Sequence, residues 1–86
     1  MVEIGKGYLK AIFIYSLYKR EGNLESLLPK DTLESLADGW DIAKPAKIYV
    51  GVGRTTEIID GSHRASFFAR TNRPDYMVPV VFYTDD

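Results

Sequence analysis

Eighty-six residues make one small domain, with a core just large enough to fold without staples. The chain holds no cysteine, which excludes a disulfide framework, a thiolate metal site and thiol nucleophilic chemistry. A hydrophobic fraction of 45% and an aromatic fraction of 13% exclude a disordered chain, and a net charge of −1 argues against general affinity for a nucleic-acid backbone.

Tyr8 to Tyr18 is apolar apart from Lys10 and Ser16, with aromatics at Tyr8, Phe13, Tyr15 and Tyr18. It is too short for a membrane span, which needs about 20 apolar residues. Lys19-Arg20 and Gly22 are stop signals, and they predict a helix from about Gly7 to Arg20, an N-terminal helical extension within residues 1–22. The β-branched and aromatic run Ile12-Phe13-Ile14-Tyr15 would also suit a buried strand. Such a helix is apolar nearly all round. It is either a fully buried core helix or a surface for a dimer or a protein partner through Tyr8, Ile12, Tyr15 and Tyr18. No signal peptide is recognisable, which sets the expectation of a cytoplasmic protein.

Asn23 to Pro29 reads as a connection with one helical turn at Leu24-Glu25-Ser26-Leu27. Pro29 stops what precedes it. Asp31, with Glu34 three residues on, predicts a capped helix that Gly39 ends. Trp40 then either packs in the core, the commoner role, or lines a pocket. Ala46 to Val52 reads as a strand, and Gly51-Val52-Gly53-Arg54 as the turn of a hairpin that returns at Glu57 to Ile59.

The most informative stretch is Glu57-Ile58-Ile59-Asp60-Gly61-Ser62-His63-Arg64-Ala65-Ser66-Phe67-Phe68. β-Branched residues run into Asp60-Gly61, and a basic turn opens an apolar helix over about Ser62 to Arg70, with Ala65, Phe68 and Ala69 turned inward. The first amides of a helix have no internal partner and carry about half a positive charge, so they attract anions. Arg64 adds a planar fork suited to phosphate oxygens, and Gly61 permits positive φ and a close approach to the main chain. Cations at this helix end oppose the macrodipole unless an anion sits between them. The alternative is a plain turn with His63 and Arg64 solvated. Thr71 to Asp75 breaks the helix, and Val78 to Tyr83 closes the sheet, with Pro79 implying an edge position or a strand start. Strands dominate the second half and short helices interleave, giving an α+β class with a small mixed sheet.

Charge supports a local pocket over a broad basic face. Residues 1–43 hold five Lys/Arg against seven Asp/Glu, and residues 44–86 hold six against five. Four of the five arginines lie in the second part.

Ile58-Ile59-Asp60-Gly61-Ser62-His63-Arg64-Ala65 resembles the Asp-Gly-x-His-Arg signature of the ParB/sulfiredoxin superfamily, in which a strand–turn–helix element holds nucleotide phosphates. The resemblance covers roughly residues 28 to 84, with Asp31–Gly39 similar to the family's first helix, Ala46–Val50 to the next strand and Met77–Phe82 to the closing strand. Sulfiredoxin-like members place a cysteine where this chain has Ser62, so reduction of sulfinic acids is excluded. Plasmid-partitioning members carry a more Arg-rich motif and continue into a helix-turn-helix domain, so the expectation is a stand-alone motif domain. The resemblance implies a nucleoside di- or triphosphate ligand, with Gly61, Ser62, His63 and Arg64 on its phosphates. It implies that Asp60 binds Mg²⁺ or orients a hydroxyl, and that the activities open to such a site are phosphotransfer and nucleotide hydrolysis. His63 is a candidate general base near neutral pH. Kinase-type relatives add a glutamate base, for which Glu25 and Glu34 are both candidates. The competing expectation is a small non-enzymatic interaction protein, of phage or plasmid type, acting through its N-terminal aromatic segment.

Overall fold

The N-terminal stretch forms a strand before it forms a helix. The computed structural model describes every residue except Arg20, Val52, Arg54 and Thr55. Strand β1 spans Val2–Lys10 and helix α1 spans Ala11–Leu17, so the helix expected from Gly7 starts four residues later. The reason lies in the pattern Gly5-Lys6-Gly7-Tyr8-Leu9-Lys10, which alternates with period two. Gly5, Gly7 and Leu9 face the helices, and Lys6, Tyr8 and Lys10 face away. Two glycines also lower helix propensity. A Cβ on Gly7 would lie 3.7 Å from the ring of Phe82, which covers the glycine from the neighbouring strand. The apolar run was real, but two element types share it. Arg20, one of the expected stop signals, lies outside the described residues.

α1 has no side chain capping its start. The amides of Ala11 and Ile12 donate instead to the carbonyls of Tyr76 and Pro74, at 2.9 and 3.0 Å. The loop before the last strand thus supplies the acceptors that an uncapped helix lacks. Ala11 and Ile14 are buried, while Ile12 and Phe13 remain exposed.

Helix α2 covers Leu24–Leu27, where Asn23 accepts from the Glu25 amide at 2.9 Å. Helix α3 covers Lys30–Ala37. Its N-cap is Pro29, not Asp31: the Pro29 carbonyl accepts from Leu33, and Asp31 sits in the first turn. Proline bars α geometry to the residue before it but not to those after, so the helix starts as early as Pro29 allows. Glu34 lies 4.0 Å from Lys30 and not over the cap, so the expected capping box does not form.

Strand β2 is Ala46–Tyr49, β3 is Glu57–Asp60, and they pair antiparallel. Val52 and Arg54 of the expected hairpin turn lie outside the described residues. Helix α4 is Ser62–Arg70, and strand β4 is Met77–Thr84. The sheet order is β1-β4-β2-β3, with β4 antiparallel to β1 and parallel to β2. The fold is therefore α+β with a small mixed sheet. The N-terminal residues join that sheet as a strand.

Pro79 corrects an expectation. β4 is an interior strand, yet Pro79 faces only Tyr8, because the ladder to β2 opens at Val80. The strand is central as a whole and an edge at its proline, which costs no donor on the open side.

The helices cover one face of the sheet. Ile14, Leu36, Trp40, Ala65 and Phe68 pack on Ala46, Ile48, Val78 and Val80. Ala69 is only half-buried, and Ser66 is buried on that side of α4 instead, with its hydroxyl donating to the Ser62 carbonyl at 2.9 Å. Phe68 stacks on Tyr76 with centroids 4.1 Å apart and on Trp40 at 6.0 Å, and the Arg73 guanidinium lies 4.8 Å from the Phe68 ring. Among the described residues no helix is long and apolar enough to cross a membrane.

Candidate functional site

The turn between β3 and α4 is fixed by a glycine whose replacement would strain the backbone and crowd the core. Gly61 is the N-cap of α4 in the left-handed region, at φ 102°. A Cβ there would come within 3.0 Å of the Ala46 Cβ and 3.4 Å of the Trp40 ring. The missing side chain therefore makes room for β2 and Trp40. Its bare side meets the core.

Around this turn a cleft of about 580 Å³ opens. Asp60, Gly61, Ser62, His63 and Arg64 all line it, so the five residues singled out by their types share one concavity. α3 supplies the facing wall with Asp31, Thr32, Ser35 and Leu36, and the loop after Trp40 adds Asp41 and Lys44. The helical ladder of α4 opens with Ala65 donating to the Gly61 carbonyl at 2.9 Å, and among the described residues no side chain caps the turn. The amides of His63 and Arg64 thus precede the ladder, on the positive end of the helix.

The side chains divide into braced and cleft-facing. Arg64 is braced on three sides. It donates to the Lys44 carbonyl at 3.1 Å, lies 3.7 Å from an Asp60 carboxylate oxygen, and sits 4.9 Å above the Trp40 ring. The Trp40 indole donates to the same Lys44 carbonyl at 2.8 Å, and its backbone amide donates to the Tyr76 hydroxyl at 2.7 Å. Trp40 is therefore a core residue, 7% exposed, as burial habits predicted. Ser62 is buried at 7% exposure, so its hydroxyl is a lesser candidate for ligand contact than its position. His63 is half-buried at the cleft wall.

Lys44 was missed by sequence reasoning. Its signal was the Asx turn at Asp41, whose carboxylate accepts from Ala43 at 2.9 Å and folds Lys44 back toward α4. The wall of α3 was legible too, since positions 31, 32, 35 and 36 follow helical spacing. Neither glutamate considered as a base lines the cleft: Glu34 lies beside Lys30, and Glu25 borders a separate depression with Asn23 and Arg70.

Among the described residues no group of three or more His, Cys, Asp or Glu comes together to hold a metal. Mg²⁺ needs less than that, since it is commonly held by one or two carboxylates plus phosphate oxygens and water. The aspartates of the cleft fit that donor set, with Asp60 nearest the turn.

Comparison of the chain with protein-family models, with curated proteins and with solved structures finds no match to any of the three.

Proposed function

We propose that the cleft under the first turn of α4 binds a phosphate-bearing ligand, a nucleoside di- or triphosphate in the first instance. One observation carries this reading: Asp60, Gly61, Ser62, His63 and Arg64 line a single cleft with Lys44 at an uncapped helix start. His63 and Lys44 supply mobile donors there, and the α4 amides supply fixed ones. Arg64 serves first as a brace that holds the Lys44 carbonyl and Trp40 in place, and it adds positive potential to the same turn. Asp60 is the carboxylate that would hold Mg²⁺ beside the phosphates. Phosphoryl transfer or hydrolysis is the activity to test, with His63 as the candidate base.

Calorimetric titration with a nucleotide panel and pyrophosphate, with and without Mg²⁺, tests the reading. Wild-type protein should bind. His63→Ala and Lys44→Ala should each weaken binding by about tenfold or more, the worth of one charged hydrogen bond, with the fold intact. No heat with any nucleotide or polyphosphate would sink it.

A second reading rests on a different region. Tyr8, Ile12, Phe13 and Met77 line an apolar groove between β1 and α1, and each is more than 40% exposed. Tyr18 is 53% exposed and Tyr15 is half-buried. This supports a protein that acts by association, as a dimer or with a partner, without catalysis.

A further inference from the structure

β1 stands at the outer edge of the sheet, so among the described residues one side of a nine-residue strand has no neighbouring strand. Such an edge presents backbone donors and acceptors to any extended chain. Edge strands commonly defend themselves with lysines and bulges, and β1 has both: Lys6, Lys10 and a register break at Ile4. The question is whether those features repel every strand or select one.

The register along β4 answers it. Gly7 stands beside Val80. Glu3 stands beside Tyr83 and Lys10 beside Met77, three residues away in opposite directions. Lys6 beside Val81 and Tyr8 beside Pro79 flank the same centre. Glu3, Lys6, Tyr8 and Lys10 also share the face turned away from the helices.

We propose that β1 pairs antiparallel with β1 of a second copy of this chain, about a two-fold axis at Gly7. In that register Glu3 lies level with Lys10 of the second copy, and Lys6 lies level with its Tyr8. Lys6 gains an aromatic ring, Lys10, already 3.6 Å from Asp75 of its own chain, gains a second carboxylate, and each pair occurs twice by symmetry. On the helix-side face Gly5 lies level with Leu9, the small residue leaving room for the large one. The bulge at Ile4 is what brings Glu3 level with Lys10; without it Ile4 would hold that place. A strand of another sequence would leave Lys6 without that ring and Lys10 with Asp75 alone, which is how the same residues reject strangers. The inference sharpens the association reading given above and needs nothing from the nucleotide reading.

Sedimentation equilibrium of the full chain over a wide concentration range tests it, with circular dichroism confirming that each variant folds. Wild type should be a dimer at high concentration. Glu3→Lys and Lys10→Glu should each raise the dissociation constant by about tenfold or more, since attraction at two symmetric pairs becomes repulsion. Combining the two should restore the dimer. A monomer at every concentration overturns the proposal and the self-association reading with it. A dimer that ignores both charge reversals but dissociates in Phe13→Ser overturns the β1 register and leaves the association reading standing.

Discussion

The β1–α1 edge and the β3–α4 turn are built on opposite plans. The turn spends its unusual residues inward: Gly61 makes room for Ala46 and Trp40, and Arg64 is held by Asp60, Trp40 and the Lys44 carbonyl. The edge turns its large apolar residues outward, with Val2, Ile4, Tyr8, Ile12 and Phe13 all exposed. One region is rigid because its geometry is over-determined by neighbours. The other is held through β4 on one side and, among the described residues, pairs with no strand on the other. A preorganised cleft suits a small anionic ligand, and an open strand edge suits another chain.

The two regions meet at Phe68, so removing it should erase the contrast. It is fully buried, stacked on Tyr76 and Trp40, and α4 carries it from the cleft back to the core beneath α1. Phe68→Ala should cost about 3–5 kcal/mol in denaturant unfolding, a large part of a small domain's stability. Gly61→Ala should come next, at about 2–4 kcal/mol, because left-handed backbone and overpacking against Ala46 add together. Ala46→Gly in the same chain should recover part of that loss, and a double-mutant cycle showing strict additivity would contradict the contact.

Arg64→Ala should cost about 1–2 kcal/mol of stability from the lost stacking on Trp40 and the lost bond to Lys44. Arg64→Lys should not restore it, since a point charge cannot reproduce the planar stack. Were Arg64 only solvated, its removal would leave the unfolding midpoint unchanged. The smallest effect belongs to the edge. Ile12→Ser should change stability by no more than about 0.5 kcal/mol, as an exposed substitution does, while lowering any tendency to associate.

The legibility of the two regions differs for a physical reason. The turn is written in residues with narrow uses: Asp60-Gly61 punctuates, and the basic pair opens a helix, so α4 was readable at both ends. From Tyr8 to Tyr18 the chain is written in residues that serve strands and helices alike. Nothing local says that the chain changes from period two to helical spacing at Lys10–Ala11. That boundary is set by β4, which pairs with β1 up to Lys10, and by the Tyr76 and Pro74 carbonyls that receive the next two amides. Pro79 misled for a similar reason, since only the stagger of β2 against β4 shows that a central strand has one open position. Within the cleft, Lys44 was hidden because its loop is placed by Trp40 and Arg64 together, a contact across 20 residues of sequence.

The most direct test of the cleft as an anion site is an amide chemical-shift titration with pyrophosphate and with a nucleoside triphosphate. The account predicts saturable shifts at His63, Arg64 and Lys44, with Tyr8, Leu9 and Lys10 at the β1 edge unmoved. Shifts scattered over exposed lysines, or none in the first turn of α4, would contradict it.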